Sequence, residues 1–212
     1  MNRDHFAKLL ARMLYPVLRA EGFRGSGATL RRIAGPVVHV FNLQGSVGGQ
    51  RCYLNLGAHV LLLPHGEGDA PDPKKIMECD CLFRDRLEPP VAHPQGWPYG
   101  DSEEAAESMV ALVVEAWHRQ AAPFFARYAT YPGDFDRLVN ELDADGLHPG
   151  RCLDMARLAM HLGFSSRAAA IAQSALPRAP ERATGLKSNL RHVIALCERV
   201  PDVPEATPRQ GP

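Results

Sequence analysis

The sequence VVHVFNLQGSVGGQRCYLNLGAHV, residues 37–60, contains two runs of β-forming residues on either side of Gly48-Gly49. A glycine pair between two such runs predicts a two-residue hairpin turn. Because the turn fixes the register, the strand partners follow by counting outward from it. The predicted core face pairs Leu43 with Leu54, Phe41 with Leu56, His39 with Ala58, and Val37 with Val60.

The opposite face of this hairpin is rich in amide side chains. It pairs Gln44 with Tyr53, Asn42 with Asn55, Val40 with Gly57, and Val38 with His59. A further strand is predicted over residues 79–87, where Arg84 and Arg86 alternate onto the side away from Cys79 and Cys81. If this strand joins the sheet with the same polarity, its arginines lie on the amide-rich face. The predicted contact surface is Arg84, Arg86, Asn42, Gln44, Asn55 and His59.

The flanking segments predict helices. Residues 2–21 have the i, i+3, i+4, i+7 spacing of an amphipathic helix. Asn2 can cap this helix, Pro16 should kink or split it, and Gly22 can end it. Asp101, followed by Glu104, predicts the start of a long second helix. The predicted fold class is α+β, with an antiparallel β-meander of about four strands packed against the N-terminal and central helices, followed by a small α-helical hairpin appendage.

The composition changes after Pro132-Gly133, where short alanine-rich helices are predicted at about 134–145, 151–162, 166–176 and 181–199. The expected organisation is an α+β domain over residues 1–132 and a helical appendage over residues 133–199. Residues 200–212 contain four prolines and are expected to form a disordered tail.

Composition limits the possible partners. The 24 acidic and 24 basic residues cancel, so no net field attracts nucleic acid or an anionic membrane. No segment approaches the roughly 20 apolar residues of a membrane span, and the N-terminal segment lacks a signal-peptide pattern. The five cysteines are odd in number and scattered, which favours free thiols in a reducing cytoplasm. The preference for arginine over lysine indicates a bacterial origin.

The sequence predicts neither a metal site nor a cofactor site. Cys79 and Cys81, with His65 or His93, are the best metal candidates, but zinc needs about four converging ligands and no second pair is present. His59 and Cys52 lie on opposite faces of one strand and cannot pair directly. His39, on the core face, is expected to be a hydrogen-bonded structural residue.

Six short segments, taken in order, resemble a bacterial family known as the domain of unknown function 4304 family, over about residues 1–130. They are LYPVLRAEGF (14–23), FNLQGS (41–46), YLNLG (53–57), CDCLFRDRL (79–87), Trp97 and PFF (123–125). Family members commonly have a paired tryptophan where this chain has Trp97-Pro98. The family has no established activity, so the resemblance implies a fold and no particular chemistry.

The leading functional hypothesis is a non-catalytic binding or interaction protein, in a toxin-neutralising or regulatory role, whose contact surface is the amide-rich face. Its partner would be a protein or a small anionic ligand. The alternative is an enzyme or small-ligand binder that acts on a small anionic substrate at four of these residues, Arg84, Arg86, His59 and Asn55. Nucleic-acid binding through Arg31, Arg32 and Arg51 is disfavoured by the neutral charge and the lack of an aromatic stacking series.

Overall fold

A computed structural model describes residues 1–64 and 70–199. The chain divides into two compact units between Tyr131 and Pro132. The predicted disordered tail and His65 lie outside the described residues. None of the helices in the described ranges is both long and apolar enough to cross a membrane.

The first unit is built around a single antiparallel sheet, as predicted for an α+β protein. Its strands are β1 (Arg24–Ser26), β2 (Thr29–Ala34), β3 (Val37–Gly45), β4 (Arg51–Val60), β5 (Phe83–Arg86) and β6 (Trp97–Pro98). The strands run in the order β1-β2-β3-β4-β5, and β6 pairs with β4 beside β5. The meander therefore has two short strands more than the four expected.

The predicted hairpin register is confirmed. All eight predicted pairs, from Val37 with Val60 to Gln44 with Tyr53, are cross-strand neighbours. The turn is longer than predicted, because the amide of Ser46 donates to the carbonyl of Arg51 at 2.9 Å and that of Gly49 donates to Ser46 at 3.1 Å. This longer loop is still centred on the glycine pair, so the strand partners are the same.

The N-terminal segment is split near Pro16, the second of the two predicted alternatives, into α1 (Arg3–Met13) and α2 (Tyr15–Ala20). Asn2 caps α1 by accepting the amide of His5 at 3.0 Å, as predicted. The break lies just before Pro16, since proline cannot donate the backbone bond that a continuous helix needs at this position. Gly22, at φ +94°, ends α2 in the left-handed conformation.

The central helix, α3 (Glu103–Ala116), continues through a π-helical turn (Trp117–Ala121) into α4 (Ala122–Ala126). The prediction that Asp101 starts the helix is wrong, because the hydroxyl of Ser102 caps it by accepting the amide of Ala105 at 3.1 Å. Pro123 does not end the helix, since the wider turn before it leaves room for a residue without an amide donor.

The main core lies between these helices and the predicted core face of the sheet. Phe41, Phe23, Phe125 and Trp117 are at most 2% exposed and form mutual edge-to-face or tilted ring contacts. Such rings bury large apolar areas, so this cluster provides much of the hydrophobic stabilisation of the first unit.

In its described part, residues 132–199, the second unit has four α-helices close to the predicted positions. They are α5 (Gly133–Asn140), α6 (Pro149–His161), α7 (Ser165–Ala175) and α8 (Thr184–Cys197). The first ends five residues earlier than predicted, and the amide of Asp145 bonds to the side chain of Asp143 in the loop that follows. Short aspartate side chains favour such local turns over helix.

Candidate anion-binding site

The two arginines of β5 lie on the amide-rich face, as the alternation predicts. In the β4–β5 ladder Arg86 is opposite Asn55 and Arg84 is opposite Gly57. The strand is shorter than predicted, since residues Glu78–Asp80 form a 3-10 turn. As a result Cys79 is exposed, and Cys81 packs on the amide-rich face and not on the core face.

The amide-rich face is not an open surface, because residues 70–82, here called the covering segment, cross it. Ile76 and Cys81 of this segment form a small apolar cluster with Val38 and Val40 of the sheet. Arg31 of β2 fastens the segment by donating from Nε to the carbonyl of Ile76 at 2.7 Å. The sheet is thus enclosed on both faces along most of β3 and β4.

Three of the six predicted contact residues, Asn42, Asn55 and His59, are buried in this arrangement. Asn42, 6% exposed, donates from Nδ2 to the hydroxyl of Thr29 at 2.9 Å. His59, 3% exposed, has its Nε2 3.1 Å from the carbonyl of Leu63, and its Nδ1 accepts the amide of Leu82 at 3.1 Å. Asn42 and His59 therefore lie within the fold and hydrogen-bond inside it, and Asn55 is buried beneath Arg86, to which it is hydrogen-bonded.

Arg86 is the best-oriented exposed cation of the predicted set. Its Nε donates to Oδ1 of Asn55 at 3.0 Å, and its guanidinium carbon lies 4.4 Å from the centroid of the Tyr53 ring. The Tyr53 ring contacts the guanidinium and Asn55 holds its Nε, so the two contacts together fix the orientation of the guanidinium. In the described part of the chain, neither η nitrogen has an acceptor, so both are available to a flat anionic group.

Asn55 connects this arginine to the other amides. It is 6% exposed, and its Nδ2 donates to Oε1 of Gln44 at 3.0 Å and contacts Oε1 of Glu78 at 3.4 Å. The second carboxylate oxygen of Glu78 is buried and has no partner among the described residues.

A cleft of ≈ 680 Å³ opens beside Tyr53, the residue whose ring lies against Arg86. Gln44 and Tyr53 line one part of it, and the hairpin loop with Pro94 and Gln95 lines the rest. Arg51, also in its wall, donates to Oε1 of Gln95 at 2.6 Å. The sequence interpretation did not select Tyr53, although its position opposite Gln44 and two residues from Asn55 already placed it on this face.

The arginines considered for nucleic-acid binding are engaged within the protein. Arg31 binds the covering segment, and Arg51 binds Gln95. Arg32 donates from Nε to Nδ1 of His39 at 3.0 Å and lies over the ring of Phe23. These side chains have internal structural roles. Arg24 of β1 is exposed but donates to the carbonyls of Arg19 and Phe23, whereas Arg84 and Arg86 are exposed on the amide-rich face.

The remaining chemical candidates are buried. The Nε2 of His39 is 2.9 Å from the carbonyl of Tyr128, and burial lowers the pKa of this histidine to about 4. Burial raises the pKa of the Cys52 thiol to about 12, which disfavours the nucleophilic thiolate. Within residues 1–64 and 70–199, no group of three or more histidine, cysteine, aspartate or glutamate side chains could hold a metal ion.

The fold and this site together define an α+β protein whose sheet presents one oriented arginine beside an open cleft. The chain belongs to the family described as Domain of unknown function (DUF4304), whose model matches residues 14–127, more than half of the chain. The match includes all six strands and α3 and ends before the second unit. No curated protein and no solved structure shows significant similarity to this chain.

Proposed function

We propose that this protein is a non-catalytic binding protein that recognises an anionic group of its partner through Arg86, with Arg84 and Gln44 beside it. The observation that carries the proposal is the orientation of Arg86 by Asn55 and Tyr53, with both η nitrogens unoccupied within the described chain.

Orientation matters because an exposed arginine loses side-chain entropy when it binds. Contacts already made by Nε and by the guanidinium face reduce that cost for Arg86. A carboxylate or phosphate can then accept two parallel hydrogen bonds, which are stronger than neutral ones. Arg84 is exposed and lies two residues away on the same face. It therefore adds a second charge for a partner that carries more than one anionic group.

The second candidate function is an enzyme or small-ligand binder for an anionic substrate, which the cleft beside Tyr53 favours. Its sequence-based version used His59 as a polar group of the site. His59 lies beneath the covering segment and both of its ring nitrogens face backbone groups. This geometry supports binding over proton transfer, since a general base must reach the substrate. A toxin-neutralising or regulatory role in a bacterial cytoplasm is one setting in which an acidic protein would occupy the site.

The test is quantitative affinity capture from a lysate of the source organism with the wild-type protein and two double variants. Arg84→Ala/Arg86→Ala removes the site, and Arg119→Ala/Arg127→Ala removes two exposed arginines elsewhere in the first unit. We expect at least one protein or small anion to be recovered about tenfold less with the first variant and equally with the control. Identical recovery with the wild type and both folded variants would contradict the proposal.

A further inference from the structure

We propose that the outer edge of β5 at residues 84–86 binds an extended acidic segment of a partner protein as an added antiparallel strand. This inference rests on the proposed function and specifies the partner: a peptide with acidic side chains at alternate positions, placed opposite Arg84 and Arg86.

The direction of the backbone groups follows from the β4–β5 ladder. The amide of Leu87 donates to the carbonyl of Leu54 at 2.9 Å, and Asp85 is the next residue of the same parity, opposite Leu56. In an antiparallel ladder the residues alternate between those that bond to the neighbouring strand and those that do not. The amides and carbonyls of Arg84 and Arg86 therefore point away from β4, and β5 is the last strand of the sheet on this side.

The free edge of β5 at residues 84–86 is bounded on both sides by backbone groups that are already hydrogen-bonded. On one side the amide of Leu82 donates to His59. On the other side the backbone amide of Glu88 donates to Oε1 of Gln120 at 2.8 Å, and its carbonyl accepts from Nε2 of Gln120 at 3.2 Å. The side-chain amide of Gln120 therefore occupies the place of a neighbouring strand.

Between these two points, at residues 84–86, one outward backbone group is already hydrogen-bonded within the described chain. The amide of Arg86 donates to Oδ1 of Asp85 at 2.8 Å. The amide and the carbonyl of Arg84, and the carbonyl of Arg86, have no hydrogen-bond partner within the described residues. Three backbone bonds are therefore available to an added strand, and exposed strand edges of this kind are used for peptide recognition.

The side chains determine the partner. Arg84 and Arg86 are both exposed, they project from one face of the strand, and in the described part of the chain neither forms an ion pair with a carboxylate. Opposite charges directly across a ladder are stabilising. An added strand with acidic residues two positions apart would bring a carboxylate to each guanidinium, and the contacts with Asn55 and Tyr53 hold Arg86 in place for the second of them.

A second copy of this chain does not fit the same edge. Its outward backbone groups belong to Arg84 and Arg86, so every antiparallel self-pairing that joins these groups places arginine opposite arginine. Like charges directly across a ladder are destabilising. The two arginines thus discourage self-association at an exposed edge, as charges on edge strands commonly do, and leave it available to an acidic strand.

The experiment uses the full-length protein and fluorescent seven-residue peptides followed by anisotropy. The probe alternates glutamate and threonine. One control replaces each glutamate by glutamine. The other carries N-methyl groups on the backbone amides of the glutamates, which would face β5. We expect each control to bind about tenfold or more weakly than the probe, because the first lacks charge and the second lacks backbone donors. Amide exchange at Arg84 should slow when the probe is bound.

Two variants separate the backbone of Arg84 from its charge. Arg84→Ala removes the guanidinium, whereas Arg84→Pro also removes the outward amide, which an edge strand tolerates. We expect the proline variant to bind the probe at least about threefold more weakly than the alanine variant. Equal binding by the two folded variants would overturn strand addition. If the proline variant does not fold, the N-methylated peptide decides the same point.

The outcomes also separate this inference from the proposed function. If the N-methylated and unmodified peptides bind equally and both need the arginines, anion recognition stands and strand addition is wrong. If no peptide binds but lysate capture depends on the arginines, the acidic strand is again wrong and the proposed function stands. If neither assay depends on the arginines, both are wrong.

Discussion

Oδ1 of Asn55 accepts the Nε hydrogen of Arg86 at 3.0 Å across the β4–β5 ladder, so a buried amide holds an exposed cation. The same amide donates to Gln44 and contacts Glu78. Most amides of the amide-rich face are therefore buried and support other side chains, and the exposed members of the predicted set are Gln44, Arg84 and Arg86. This division between support and contact gives the first of the following predictions.

Replacing Arg86 by lysine should remove most of the binding to the captured partner, nearly as much as replacement by alanine. Lysine has no planar fork, so it cannot bond Asn55 and still offer two parallel donors to an anion. We expect a loss of about tenfold or more, measured as the Kd of the captured partner. Arg119→Lys is the matched control. Full binding by Arg86→Lys would show that charge alone, and not orientation, is recognised.

Replacing Gly57 by alanine should destabilise the first unit by about 1–3 kcal/mol, measured by urea unfolding. An added Cβ would lie 2.7 Å from the Cys81 sulfur and 3.1 Å from the Cα of Glu78, so the covering segment would have to move. Gly48→Ala is the control, since nothing lies within 4 Å of its added Cβ. An unchanged midpoint for Gly57→Ala would mean that the segment does not pack closely on the sheet.

Acid should weaken the fold through His39. Burial lowers its pKa from 6.5 to about 4, so between these values the unfolded chain binds the proton more readily than the folded one. The stabilising contribution is complete above about pH 6.5, decreases as the pH falls, and is lost below about pH 4. It amounts to about 3 kcal/mol. Urea unfolding at pH 7 and pH 4.5 should show a smaller difference for His39→Gln than for the wild type; equal differences would contradict this role.

Thiol reactivity should divide the cysteines by burial. None of the five cysteines, all within the described residues, forms a disulfide; Cys79 is exposed, and Cys52, Cys81 and Cys152 are buried. We expect a maleimide reagent to modify Cys79 first in the native protein, followed by Cys197, as mass spectrometry of the peptides would show. Burial raises the pKa of Cys52 to about 12, so it should react only on unfolding. The unfolding midpoint should be the same with and without reductant.

Short-range patterns were sufficient for much of this fold. The glycine pair at the hairpin fixed which residues face each other even though the loop is longer than two residues, because lengthening it symmetrically does not change the register. The alternation of Arg84 and Arg86 placed both on the amide-rich face. Asn2 and Gly22 marked the limits of the first helical segment, since caps and left-handed stops depend on local backbone groups.

The sequence by itself determined the α+β class, the β3–β4 pairing and the face on which the arginines lie, because these depend on turn chemistry and on a two-residue period. The tertiary structure decided which polar side chains of that face are exposed. Asn42 and His59 follow the same alternation as Gln44, yet the covering segment buries them, and Arg31 holds that segment through a contact 45 positions along the chain. Burial on the second face of a sheet depends on such distant packing, which no local period encodes.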